Sequence, residues 1–507
     1  MIAKVSSCAV VGLGAQPIEV EADVANGLPK MIVVGLPDTA VQESKERVKS
    51  AIKSAGIPLP SKRIIINLAP ADLRKEGPAY DLAIGVGILG GLGIIGDVDP
   101  KWIFLGELAL SGELRHTTGI LPMVIMAKEL GYEKVFLPKI DANEAALIDG
   151  IQIMPVETLT QLIEYLQTQT GIEPFATHGA DLMRKPRESL YDLSFVKGQE
   201  HVKRALEIAA AGGHNILLSG PPGSGKTLLA RTVPTILPNF TLEEALEVTK
   251  IYSVSGLLPP EQPLMVERPF RSPHHTTSRN ALVGGGGWPK PGEISLAHRG
   301  VLFLDEFPEF PSQSLEALRQ PLEDGVVTIS RVMGSLTFPA QFILVAAMNP
   351  CPCGYAGDLE KECTCSPFAI ERYQKKISGP LMDRIDLHVE VPRVKYEKLI
   401  EPLPAEKSED VRLRVQQARE MQLARFATLN SKSICNSDMM PKEMRELCVL
   451  DEGGQDLLKL AVRQFFLSGR AYHRILKVAR TIADLSGVEQ IGSQHVAEAI
   501  QYRFRAE

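Results

Sequence analysis

Residues 215–227 read NILLSGPPGSGKT. An apolar run, Ile216-Leu217-Leu218, leads into Gly220-Pro221-Pro222-Gly223-Ser224-Gly225-Lys226-Thr227, and Leu228 onward reads as a helix. Strand, glycine loop and helix, in that order, are the context a phosphate-binding P-loop needs. The glycines let backbone N–H groups turn inward around phosphate oxygens, and the N-terminus of the following helix adds its dipole. In such a loop Lys226 reaches the β- and γ-phosphates of ATP, and Thr227 ligates Mg²⁺ through its hydroxyl.

Working outward, an ATPase needs an acid at the end of a neighbouring apolar strand. Val301-Leu-Phe-Leu-Asp305-Glu306 supplies it. Asp305 would hold the Mg²⁺ shell and Glu306 would act as base on the attacking water. A third apolar run, Phe342 to Met348, ends at Asn349, whose amide could sit between the acid strand and the P-loop and orient water. Beyond it, GPLMDRIDL at 379–387 sets Arg384 between apolar residues and two aspartates. Such an arginine is either half of a local salt bridge or a finger that reaches the ATP of a neighbouring subunit.

The rest of the chain falls into regions around this core. With 507 residues, 44% of them hydrophobic, it has material for several domains. A net charge of −6 excludes a global basic field, so any contact with nucleic acid must use local surfaces. Residues 1–170 alternate short apolar runs (MIVVGL, RIIINLAP, KVFLPK) with helical patterns, a mixed α/β arrangement. One helix begins at the N-cap Asp38 and stops at Gly56, with Val41, Val48, Ala51, Ile52 and Ala55 on one face. Residues 171–189 read as a linker, 190–394 as a parallel α/β core, and 395–507 as helical throughout. The apolar stretch Asp81–Gly96 is too short and too rich in glycine to span a bilayer. No secretory signal is visible at the N-terminus, so the expected compartment is the cytoplasm and no membrane role is expected.

GPPGSGKT, VLFLDE, the strand ending at Asn349 and GPLMDRIDL occur in the order found in AAA+ ATPases, and PGEISLAHRGVLFLDE resembles the magnesium chelatase and MCM branch of that class. Over nearly all its length the chain resembles the YifB/ComM family of magnesium-chelatase-like bacterial proteins. That resemblance implies that Asn349 is sensor 1, Arg384 a trans arginine finger, and Arg470 in SGRAYHR (468–474) sensor 2, with Arg474 as the fallback. It implies that the stretch from Arg268 to Thr277 together with glycines 284–287 is a helix-2 insert pointing into a pore. It also makes residues 323–338 a pre-sensor hairpin around a Met-Gly-Ser turn, with Arg331 near its tip a candidate phosphate contact. A hairpin that only packs between subunits is the alternative.

The N-terminal segment KEGPAYDLA (75–83) and GELALSGELRHTTGILPMVIMAKELG (106–131) resemble the Lon protease domain. Lon-type peptidases need a serine after Gly-Pro and a lysine about 40 residues on. Here the serine position is Ala79 and Ile120–Met126 contains no lysine, so peptide hydrolysis by that route is lost. What remains is a scaffold with basic residues Lys45, Lys49, Lys53, Lys62, Arg63, Arg74 and Lys75, either a solvated face or a DNA-phosphate surface.

Cys351-Pro-Cys353 and Cys363-Thr-Cys365 form a group of four in a chain without a secretion signal, which points to a metal rather than disulfides. Four thiolates from one loop can surround a structural Zn²⁺; four reduced, unligated cysteines are the alternative.

Together these readings imply a homo-hexameric AAA+ ATP hydrolase with Mg²⁺ as cofactor, a structural Zn²⁺, an inactive Lon-like α+β domain, a P-loop α/β core and a helical lid. The resemblance implies a DNA helicase or translocase acting on single-stranded or branched DNA in branch migration, natural transformation and homologous recombination, with recombination proteins as partners. The other readings are a magnesium-chelatase-like subunit, against which the Lon-like domain speaks, and a protein-remodelling ATPase.

Overall fold

The computed structural model describes residues 2–176, 182–183, 189–259, 261–286, 289–331, 334–358, 360–394, 398 and 406–503. The linker read at 171–189 therefore lies partly outside the described residues, as do Gly287 and Met333; of Arg331 and Gly334 only the backbone is described. The chain divides into two compact units: Met1–Lys185 with Leu242–Val266, and Pro186–Thr241 with Glu267–Glu507.

The first unit is built on a seven-stranded mixed sheet, in the order Lys30–Val34, Arg63–Ala69, Gly14–Ala25, Ile2–Val11, Trp102–Phe104, Lys134–Pro138, Gln152–Val156. Ile2–Val11 and Gly14–Ala25 form a long antiparallel hairpin, closed in register at Val11 and Gly14. The strands beyond Ile2–Val11 run parallel to it and to one another. Helix Thr39–Ser54 starts where its capping residue directs, since Asp38 Oδ1 accepts from Val41 N at 2.8 Å. It buries Val41, Val48, Ala51 and Ile52, the positions its 3.6-residue period sets on one face. The glycine-rich stretch after Tyr80 forms helix Asp81–Gly91, of which nine residues are buried. Its glycines serve close approach: a Cβ at Gly87 would stand 3.2 Å from Ala22 Cβ on the sheet. Asp81, wholly buried in the first turn of that helix, is held by Arg47 Nε at 2.7 Å and by Ser44.

Residues 242–266 lie between the P-loop and the acid strand in sequence, yet they pack with the first unit. Helix Leu242–Ser255 is anchored there by Ser253 Oγ, which donates to the buried Glu144 Oε1 at 2.6 Å.

The second unit carries a five-stranded parallel sheet in the order Phe270–Arg271, Val301–Leu304, Ile343–Met348, Ile216–Ser219, Leu387–Glu390. The three central strands are apolar runs buried on both faces, as a parallel sheet covered by helices requires. The strand that comes first in sequence lies between the fourth and the fifth, which makes the carboxyl end of Ile216–Ser219 a topological switch point. The stretch from Arg268, read as a loop throughout, begins instead on the sheet. Arg268 is buried and donates to the carbonyls of Pro238 and Arg299 at 2.6 and 2.7 Å, and Phe270–Arg271 is the edge strand. Strands Val326–Arg331 and Gly334–Pro339 pair antiparallel.

Helices Ser408–Thr428, Pro441–Leu447, Glu452–Gln464, Gly469–Leu485 and Ser493–Gln501 follow the sheet, and their apolar faces share its core through Val415, Ala418, Phe426, Ile475, Val478, Ala479 and Val496. A buried polar knot tightens them: Asp484 accepts from Arg480 Nε at 3.0 Å, Asn436 Nδ2 at 2.8 Å, and Arg425.

Candidate nucleotide site

The loop 220–225 connects strand Ile216–Ser219 to helix Lys226–Ile236. Gly220 cannot carry a side chain, because a Cβ there would stand 2.2 Å from the Val391 carbonyl oxygen beside the neighbouring strand. Gly223 and Gly225 take positive φ of 78° and 86°, which turns the loop back toward the helix start. The Ser224 hydroxyl is buried and has no hydrogen-bond partner among the described residues, a polar atom free to meet a phosphate oxygen.

Lys226 is buried, and its three ammonium protons have three acceptors: Gly220 O at 2.7 Å, Pro221 O at 2.9 Å and Asn349 Oδ1 at 3.2 Å. Burial pulls its pKa below the ordinary lysine range, and the Asp305 carboxylate opposes that. Thr227 Oγ1 donates to Asp305 Oδ2 at 2.8 Å, so a hydroxyl and a carboxylate converge on one point. That hard oxygen pair suits a divalent cation such as Mg²⁺. Parallel pairing in register puts Leu304, Ala346 and Leu217 in one row across adjacent strands, and this delivers Asp305, Asn349 and loop 220–225 to the carboxyl end of the sheet.

Glu306 follows at a left-handed φ of 52°, with its backbone N–H on Asp305 Oδ1. Its Oε2 lies 2.9 Å from His275 Nδ1. Nothing in the run PHHTT singles out His275 in the sequence, since the pairing forms between segments well separated along the chain. Gln199, likewise without a sequence signal, donates from Nε2 to Ser224 O and Pro392 O, both at 2.9 Å, and so ties loop 220–225 to the segment after the neighbouring strand Leu387–Glu390.

The arginines are placed differently. Arg384 is buried and engaged with Glu323 and with Pro380 O at 2.7 Å, rather than with the Lys226 group. Its Nε has no hydrogen-bond partner among the described residues. Arg384 holds the Glu323 carboxyl below its usual range, and Arg470, exposed near the start of helix Gly469–Leu485, adds to this. Arg474 is paired with Asp386. Burial opposes ionisation of Asp386, but Arg474 and His214 hold its carboxyl well below the carboxylate range. Arg474 is thus committed to closing helix Gly469–Leu485 onto the sheet.

Cys351, Cys353, Cys363 and Cys365 come together with all four sulfurs within 4.8 Å of one another. The Cys351–Cys353, Cys351–Cys363 and Cys353–Cys363 Sγ separations are 3.4, 3.7 and 3.6 Å. A tetrahedral thiolate site with bonds of about 2.3 Å has edges of about 3.8 Å, so the group fits a metal and is too open for disulfides. Backbone N–H groups of Tyr355 and Thr364 hold the Cys353 thiol down to about 5. The Cys365 N–H favours the Cys363 thiolate, but desolvation and the neighbouring sulfurs push that thiol up to about 12. Cys8, Cys435 and Cys448 are buried elsewhere, and burial pushes each thiol up.

In the first unit Ala79 packs in an apolar cluster with Cys8, Ile103 and Met123, and Ile120–Met126 lies on helix Ile120–Glu129. Of the basic residues, Lys75 does not belong to a surface: it is fully buried and donates to Pro70 O. Lys49 pairs with Glu46 at 2.9 Å and Arg74 with Glu76 at 3.3 Å. No helix among the described residues is long and apolar enough to cross a membrane.

Three family models match the chain: magnesium chelatase, subunit ChlI, over residues 192–399; subunit ChlI of Mg-chelatase over 20–141; and magnesium chelatase, subunit ChlI C-terminal, over 405–503. The competence protein ComM of Haemophilus influenzae is 44% identical over 509 residues, which cover 99% of this chain and 97% of that protein. The YifB protein of Escherichia coli is 43% identical over 499 residues, 98% of this chain and 96% of the other. Lon protease 2 of Bacillus subtilis is 29% identical over 138 residues, 27% of this chain and 24% of that protease.

Proposed function

The chain belongs to the ComM/YifB family of magnesium-chelatase-like proteins, and on that premise we propose that it is an AAA+ ATP hydrolase that assembles as a hexameric ring and moves on DNA. The observation that carries the ATPase reading is the constellation of Lys226, Asn349, Thr227 and Asp305 at one switch point of a parallel sheet. Loop 220–225 and Lys226 bind the phosphates, with the unpartnered Ser224 hydroxyl among the donors. Thr227 and Asp305 would hold Mg²⁺, which neutralises charge on the phosphates when bound. Glu306 takes the proton of the attacking water, Asn349 orients that water, and Arg384 of a neighbouring copy steadies the charge that develops. Arg470, whose guanidinium is exposed, serves as sensor 2. The four-cysteine group takes a structural Zn²⁺, since four protein ligands leave no open position.

The DNA reading leans on the competence protein among the relatives, and on two surfaces: the hairpin Val326–Arg331/Gly334–Pro339 and the lysines 45, 49 and 53 on helix Thr39–Ser54. The reading extends to branch migration of single-stranded or branched DNA in transformation and recombination, in the cytoplasm. A second reading, ATP-driven remodelling of a partner protein as in a magnesium chelatase, is favoured by the descriptions of the matching family models. Strand displacement on forked and three-stranded DNA separates the two. Wild type should displace a strand with ATP, and Lys226→Ala and Glu306→Gln should not. ATPase activity indifferent to every DNA, with no displacement, would sink the motor.

A further inference from the structure

The segment after Asn349 does more than gather four thiols. Cys351 stands two positions beyond Asn349, and the turn that follows is closed by Gly354 N donating to Cys351 O at 3.0 Å. Gly354 has a φ of 88° and lies against the P-loop: a Cβ built on it would stand 2.6 and 2.7 Å from Cδ and Cγ of Pro222, and 3.8 Å from Cγ of Asn349. Pro222 follows Gly220 and Pro221, whose carbonyls accept from Lys226, and Asn349 supplies the third acceptor. The first turn of the cysteine loop therefore lies against the Pro222 side of the Lys226 cradle and beside Asn349.

The far side of the loop is fixed to the same neighbourhood. Arg393 Nε donates to Asp358 Oδ2 at 2.9 Å, and its guanidinium stands 5.5 Å from the Tyr355 ring. Arg393 follows Val391 and Pro392, of which the first abuts Gly220 and the second accepts from Gln199. Between these anchors the described residues of 350–366 form neither helix nor strand. A loop of that kind has no backbone ladder to keep its shape, and ligation of its thiolates is what would hold it.

We propose that the four-cysteine loop is a metal-set brace for the nucleotide cradle: a thiophilic divalent cation bound by Cys351, Cys353, Cys363 and Cys365 holds Gly354 against Pro222, and its loss loosens the P-loop and weakens nucleotide binding. The brace rests on the reading of loop 220–227 as an ATP site. It makes Cys351, Cys353, Gly354, Cys363 and Cys365 positioning residues for that site, acting through Pro222.

The test uses the full chain, with Mg²⁺ held constant. Zinc content is measured by elemental analysis, and the affinity for a fluorescent ATP analogue is measured before and after treatment with 1,10-phenanthroline and after return of Zn²⁺. Stripping should raise Kd by about tenfold, the scale of one lost hydrogen bond to a charged group, and Zn²⁺ should restore it. Gly354→Ala, whose methyl group would displace Pro222 and strain a backbone at a φ of 88°, should bind the nucleotide more weakly by a similar factor, with its zinc content measured alongside. Melting curves of each sample identify global unfolding, and stripping the wild type requires no substitution. Equal Kd with and without metal, equal Kd for Gly354→Ala and wild type, or protein that neither contains nor takes up Zn²⁺ would each overturn the brace. Zinc-loaded wild type that binds no nucleotide would instead overturn the ATP reading on which it rests.

Discussion

Replacing Asn349 by alanine removes one of the three acceptors around the Lys226 ammonium, the one at 3.2 Å, and leaves the two backbone carbonyls at 2.7 and 2.9 Å. A hydrogen bond to a charged group contributes about 1.5–3 kcal/mol. Lys226 is only 8% exposed, so water replaces little of it, but 3.2 Å is at the long end of the range and favours the lower figure. About 1.5 kcal/mol is roughly a tenfold change in rate, and loss of an oriented water adds to it, so kcat for ATP should fall about 10- to 100-fold. Nucleotide affinity should move by no more than about threefold, because Gly220 and Pro221 still aim the lysine. Asn349→Asp should behave differently: a carboxylate beside incoming phosphates repels them, and Kd should rise by about tenfold or more. Steady-state ATPase assays and titration with a fluorescent ATP analogue give both quantities. Asn349→Ala with kcat within about twofold of wild type, or with its whole loss in Kd, would refute the water-orienting role of the side chain.

Other consequences are open to direct measurement. If Arg384 acts across subunits, Arg384→Ala and Lys226→Ala should each lack ATPase activity alone, and mixing the two should restore part of it at interfaces where an intact P-loop meets an intact arginine; no recovery on mixing would place Arg384 in a purely local role. Asp484→Ala leaves Arg480, itself 1% exposed, and Arg425 without their carboxylate; chemical denaturation should show a loss of about 3–5 kcal/mol, and a loss under about 1 kcal/mol would contradict the knot. Burial pushes the Glu144 carboxyl up to about 7, against the donations of Ser253 and Leu121. The folded state therefore holds a proton that the unfolded state has released between about pH 4.5 and 7. Its contribution falls as pH rises through that window and is level above it. Glu144→Gln should lose less stability than wild type between about pH 5 and 7.5; equal losses would contradict the assignment.

Much of the candidate site could be read from the chain because its parts are local. A P-loop is eight consecutive residues between an apolar strand and a helix, and an acid or an amide at a strand end is marked by the apolar run before it. Pairing of parallel strands in register then does the rest, since the carboxyl ends of adjacent parallel strands lie side by side: Lys226 reaches the Asn349 side chain and Thr227 reaches that of Asp305 by hydrogen bonds. The same holds for helix Thr39–Ser54, whose cap and period are both local signals. Lys75 misled for the opposite reason: a lysine in a charged stretch reads as surface, and only the fold around Pro70 shows it buried. Arg268 misled likewise, its fork being spent on three backbone carbonyls of distant segments.

Sequence by itself determined the glycine-rich loop between an apolar strand and a helix, the order of acid and amide strands, the four spaced thiols and the alanine that follows Gly77-Pro78, because each is a run or spacing of residue types with its own chemistry. Tertiary structure alone decided that residues 242–266 pack with the first unit, that Glu306 meets His275, that Arg384 is engaged with Glu323 while Arg474 goes to Asp386, and that Gly354 rests on Pro222. These are pairings between segments far apart in the chain. No periodicity or spacing encodes them, because which side chains meet across such distances depends on how the strands order themselves in the sheet and how the connections return over it.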